Sequence, residues 1–146
     1  MTPPTPLPLQ RQLVRLLLGW SALSVLGGLV LARQRDPFRR GLGLQWAAWG
    51  AVDGVIALVG LREYRRNLAH LRAGKLRAPH LSRLQRLLEV ILWVNSLLDV
   101  GYLFLGSRLL DGGRFKQGTG WGIISQGAFL LLLDASHAIL LRWRRA

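Results

Sequence analysis

An all-α, four-helix bundle integral to a membrane is the fold class this sequence predicts, and three observations predict it. Four apolar runs are separated by basic or turn-rich segments. The last three runs carry polar side chains at helical spacing, and Lys and Arg collect between the runs instead of within them. With 146 residues, 51% of them hydrophobic, the chain has room for one membrane domain and none for a second, globular one. It has no cysteine, which removes disulfides, thiol catalysis and thiolate metal sites together. The net charge of +13 is not a nucleic-acid signature, because no aromatic-basic interleaving or reader motif accompanies it; nucleic acid is not an expected partner.

Met1 to Leu9 has prolines at 3, 4, 6 and 8 and reads as an extended, mobile tail through residue 10. The first span is expected at about 13–32, rich in small residues (Gly19, Ser21, Ser24, Gly27, Gly28). Arg11 and Arg15 ahead of the apolar run Leu16 to Ala32, and Val30-Leu31-Ala32 at its end, imitate a signal peptide, but the run exceeds the usual apolar region and reads as a spanning helix. Arg33 to Arg40 is a charged break containing Pro37. The second span, 41–61, is roughly 31 Å of helix, enough for a hydrocarbon core. Its inward face is a stripe of Trp46, Gly50, Asp53, Gly54, Ala57 and Gly60, and Gly50 and Gly54 have the spacing of a close helix contact.

Residues 62–86 form a long basic connection with eight Lys or Arg against one Glu. Tyr64, Leu68 and Leu71 keep a helical period, so the second helix should run on along the interface until Gly74 stops it. Pro79 to Leu81 reads as a linker, and Ser82-Arg-Leu-Gln85 has the spacing of a capping box that starts the third helix. The third span, 87–107, contains Asn95, Asp99 and Tyr102 at i, i+4 and i+7, on one helix face. That face is intolerable to lipid. A carboxyl near the bilayer centre costs roughly 3 kcal/mol on insertion scales, so it needs protein partners or a wet cavity. Ser107 to Thr119 reads as a turn-rich loop. The fourth span, 120–141, carries Gln126, Asp134 and His137, with Trp121 and Trp143 at its two ends as interfacial anchors.

The N-terminal segment, the long connection and the C-terminal end hold 13 of the 20 Lys and Arg, which predicts that both termini and the connection are cytoplasmic. Counting about 1.5 Å per residue from Arg62, Arg86 and Arg142 puts Asp53, Asn95 and Asp134 in one layer, roughly 12 to 14 Å deep. Asp99 lies near 20 Å, Gln45, Tyr102 and Gln126 at about 24 to 26 Å, and His137 near 8 Å. The buried polar set is therefore Gln45, Trp46, Asp53, Asn95, Asp99, Tyr102, Gln126, Asp134 and His137. Two readings fit it. The polar groups hydrogen-bond helices together in a structural or partner-binding bundle, or they line a cavity that binds or transports a small lipophilic molecule, a proton or a cation. Catalysis is disfavoured, since neither a nucleophile-base pair nor a metal set is visible, and no cofactor is expected. Asp134 and His137 are half a metal site at most. The expected partners are the bilayer and anionic lipid head groups at the basic connection, with a homo-oligomer as a further candidate.

A weak repeat relates Trp20-Ser-Ala-Leu-Ser24, Trp49-Gly-Ala-Val-Asp53 and Asn95-Ser-Leu-Leu-Asp99, as if helices one and two corresponded to three and four. Finally, Gln45-Trp-Ala-Ala-Trp-Gly50, Asn95-Ser-Leu-Leu-Asp99-Val-Gly-Tyr102 and Gly120-Trp-Gly through Gln126-Gly-Ala-Phe to Asp134 resemble an uncharacterised family of small bacterial four-helix membrane proteins. The likeness covers the second to fourth spans. It implies a multi-pass protein of the bacterial inner membrane and supplies no activity.

Overall fold

The computed structural model describes residues 6–75 and 78–143, and within them the chain is all helix and short turns. Four helices follow in order: α1 Leu7–Ala32, α2 Pro37–Arg72, α3 Ala78–Arg108 and α4 Arg114–Trp143. All four are long and apolar enough to cross a membrane. Large apolar side chains stand exposed along every one, Leu26, Val55, Leu97 and Leu132 among them. Soluble monomers rarely expose contiguous apolar surface on that scale.

All four helices begin earlier than their sequences suggest. The expected tail is helical from Leu7, with Pro8 inside the first turn; residues 1–5 lie outside the described residues. Pro79 and Leu81 are helical too, because α3 starts at Ala78, so Ser82 sits inside the helix instead of capping it. Residues 114–119, read as loop, form the first turns of α4. The physical reason is shared by the first two: proline in a helix's first turn lacks an N–H that would have no intrahelical acceptor anyway, so it starts helices as readily as it breaks them. Pro37 does the same for α2, where the Asp36 carboxylate accepts a hydrogen bond from the Arg39 backbone N–H at 3.1 Å. At its other end α2 runs on to Arg72 and closes at Gly74, whose φ of +65° costs glycine nothing. Thirty-six residues make α2 about 54 Å long, well beyond a hydrocarbon core.

The helices pack as two antiparallel hairpins, α1–α2 and α3–α4, joined where α2 lies parallel to α4. Glycine sets each of these contacts. A Cβ on Gly28 would overlap the Ala47 backbone, and one on Gly43 the Ala32 backbone, so α1 and α2 touch main chain to main chain. A Cβ on Gly118 would overlap the Phe38 carbonyl across α2 and α4, and one on Gly106 would come within 2.8 Å of the Gly120 carbonyl across α3 and α4. Such close approach maximises van der Waals contact, which drives association where lipid removes the hydrophobic incentive. Gly50 and Gly54 of the inward stripe both face α1, at Ser24 and Ser21. At the end bearing the termini, Leu9, Leu92, Ala138 and Leu141 close a small core of α1, α3 and α4. The backbones of α2 and α3, by contrast, never come within 8 Å of each other, Cα to Cα, among the described residues.

Candidate functional site

Most of the buried polar residues fall into two groups, one joining α1, α2 and α4 and the other facing α3. The first is saturated. Ser21 Oγ donates to the Gly50 carbonyl at 2.7 Å, holding α1 on α2. Trp20 Nε1 donates to Gln126 Oε1 at 2.6 Å, and Gln126 Nε2 donates to Ser24 Oγ at 3.0 Å, so one amide of α4 satisfies two groups of α1. Trp20 also stacks on Phe129, centroids 4.0 Å apart. Trp46 Nε1 donates to Ser125 Oγ at 2.7 Å, linking α2 to α4. Gln45 packs its Cβ near Gly122 at this level. These contacts join α1, α2 and α4, and they leave Gln126, buried to 2% exposure, with both ends of its amide engaged.

The second group lines a cleft between α2 and α3. Its volume is about 490 Å³, within the range of pockets that take a small organic ligand. Val52, Ile56 and Val59 of α2 and Ile91 and Leu98 of α3 form its exposed apolar rims, so it opens sideways, toward lipid if the helices span a membrane. Leu13 and Leu17 of α1 and Leu88 and Leu92 of α3 wall the end near the termini. At the other end Trp49 and Tyr102 meet edge to face, centroids 4.9 Å apart. Leu130 and Asp134 of α4 also line it.

Asp53, Asn95, Asp99 and Asp134 supply the polar lining. Helical spacing explains the grouping: Asn95, Asp99 and Tyr102 share a face of α3, and Trp49, Asp53, Ile56 and Gly60 a face of α2. Asn95 hydrogen-bonds the Asp134 carboxyl, and the three carboxyls are close enough to act on one another electrostatically. Asp53 and Asp99 are each only 3% exposed, and each has a buried Oδ2 with no hydrogen-bond partner. A buried polar atom left unpaired costs about 1–3 kcal/mol, and more when charged. Among the described residues no Lys, Arg or His lines the cleft to offset them.

Of the nine residues singled out in the sequence, the cleft gathers Asp53, Asn95, Asp99, Tyr102 and Asp134. Gln45, Trp46 and Gln126 belong to the saturated side. His137 lies apart, against the leucine core: its Nδ1 donates to the Leu133 carbonyl one turn back at 2.7 Å, and its Nε2 is buried without a partner beside a void of about 10 Å³ that Gln10 also lines. Among the described residues no three His, Asp or Glu side chains are gathered closely enough to hold a metal ion. Sequence reasoning did not mark Trp49 as a cleft residue, although its place one turn before Asp53 was a usable signal. Gln85, which donates to the Leu141 carbonyl at 2.8 Å and ties α3 to the end of α4, was read only as part of a cap.

A family profile described as a family of unknown function, DUF6992, matches residues 16–135. The chain belongs to this family. No curated protein and no solved structure matches it. The DUF6992 region takes in most of α1, all of α2 and α3 and most of α4, and it contains all the polar residues of the cleft, while His137 and the arginines at the chain's C-terminal end fall outside it.

Proposed function

We propose that this DUF6992 chain is a multi-pass membrane protein whose α2–α3 cleft binds a small lipophilic molecule entering sideways from the bilayer. The observation that carries the proposal is the pair of buried, unpartnered carboxyl oxygens on Asp53 and Asp99 in a cleft with apolar rims. Polar residues kept only to hold helices together pair with one another, as Gln126, Ser24 and Trp20 do; acids left unpaired beside open space are placed for something that comes and goes. The asymmetry of Lys and Arg supports an orientation with both termini and the basic connection in the cytoplasm, and the family-like motifs support the bacterial inner membrane. The basic connection is then placed to meet anionic lipid head groups.

The competing reading is a structural bundle whose cleft is covered by a second copy or another membrane protein. The two separate in phospholipid nanodiscs holding the full chain, using an uncharged environment-sensitive dye such as Nile red. Saturable uptake of one dye per chain, abolished when Val52→Trp and Leu98→Trp fill the cleft, is expected. Equal, unsaturable partitioning into both proteins' discs, or a stable dimer that excludes the dye, would contradict a ligand site.

A further inference from the structure

The walls of the cleft are apolar and its polar lining is of one sign, and this combination defines a chemistry. Asp53 and Asp99 present oxygens that are buried and unpartnered, Asp134 adds a third carboxyl, and among the described residues the neutral polar side chains beside them are Asn95 and Tyr102, with the Trp49 indole also lining the cleft. Three neighbouring carboxyls repel one another in proportion to their ionisation, and one hydrogen-bond donor relieves only one of them. A single positive charge among them relieves all three. An inorganic cation is poorly served, since no three-ligand cluster exists among the described residues and the apolar rims would go unused. The aromatic pair adds a second feature. Trp49 stands one turn from Asp53 and Tyr102 one turn from Asp99, so both rings flank the acids, and ammonium groups are attracted to such faces.

We propose that the cleft binds a small lipophilic amine, its ammonium head held between Asp53 and Asp99 and flanked by Trp49 and Tyr102, its apolar body lying along the rims of α2 and α3. The inference rests on the cleft being a ligand site. It deepens that reading by fixing the charge of the occupant. A conducting pathway is a worse fit, because the edge-to-face Trp49 and Tyr102 close one end and the leucine core closes the other.

The test uses three competitors with the same apolar body, octylamine, 1-octanol and octanoate, displacing Nile red from the full chain in phosphatidylcholine nanodiscs at neutral pH. Concentrations are expressed per lipid, so that unequal partitioning cancels. Octylamine should displace the dye at a concentration about tenfold or more below that of octanol, which corresponds to about 1.4 kcal/mol, and octanoate should be the weakest. Asp99→Asn should bring octylamine to parity with octanol while dye binding persists; if that variant fails to fold, Asp53→Asn serves the same purpose. The amine proposal is overturned if octanol equals octylamine in the unaltered protein, or if the amine's advantage survives in both variants. Absence of saturable dye uptake would instead sink the cleft as a site, a distinct failure.

Discussion

Gln126 and Asp99 carry the two meanings that a polar residue can have inside such a bundle. Replacing Gln126 with Leu removes two hydrogen bonds and leaves Trp20 Nε1 and Ser24 Oγ facing apolar surface. Interhelical hydrogen bonds within membranes average about 0.6 kcal/mol and reach about 1.7, so the loss expected is about 1 to 2 kcal/mol, read as a lower midpoint in denaturant-driven unfolding. Asp36 works outside the spans. The Arg39 backbone N–H, and after it the Arg114 guanidinium at 3.1 Å, hold its carboxyl below the ordinary aspartate value. A depressed folded value means its contribution is present above the unfolded value and fades as pH falls through the folded one. Asp36 is partly exposed to solvent, which screens the charge, so the effect is small. Acid titration below about pH 4 should therefore loosen the α2 start from Arg114 in the unaltered chain, followed by hydrogen exchange at Arg39 and Arg40, and Asp36→Ala should be loose there at every pH.

Helices were the most legible part of the sequence. Apolar length and 3.6-residue periodicity suffice for four helices long and apolar enough to cross a membrane and for the inward stripe of Gly50, Asp53, Gly54 and Ala57. The starts at Leu7, Pro37, Ala78 and Arg114 are the least legible, because proline or glycine there resembles an interruption. Gly118 and Gly120 resemble loop glycines in sequence, yet they serve contact, one against Phe38 and the other against Gly106. Depth counting brought Asp53, Asn95 and Asp134 to one layer, but height along a helix says nothing of rotation about the bundle, which is why Gln126 and His137 fell outside the cleft. The gap between α2 and α3 has no sequence signal at all. It is conspicuous against the repeat: Trp20 of α1 stacks on α4, whereas Asn95, its counterpart in α3, reaches Asp134 of α4 and no backbone of α3 approaches α2. Since glycines set the hairpins, Gly28→Leu should be among the most disruptive substitutions, with α1 forced off Ala47. Loss of the folded band in mild-detergent gel filtration would register it, and Gly19→Leu, where a Cβ meets nothing within 4 Å, should be silent in the same assay.

Taken whole, the molecule is half fastened and half open. Tryptophans, serines and Gln126 bind α1, α2 and α4 into a unit, while α3 is attached through α4 and the leucine core and leaves three acids lining a lateral cleft. The lack of cysteine makes the orientation simple to check. An impermeant maleimide added to intact cells should label Gly113→Cys, between α3 and α4, and spare Lys75→Cys, after α2, if the basic connection is cytoplasmic. A binding site also leaves a mark on stability, since groups arranged for an absent ligand cost the empty protein and are satisfied only when it is occupied. The most direct measurement is thus the unfolding midpoint of the ligand-free protein with Asp99→Asn beside the unaltered chain. Equal or higher stability in the variant is expected, because a buried carboxyl without a partner has been exchanged for a neutral amide. A fall of about 2 kcal/mol or more, the size of effect that follows breaking a satisfied buried interaction, would make Asp99 a structural tie and contradict the cleft as a ligand site.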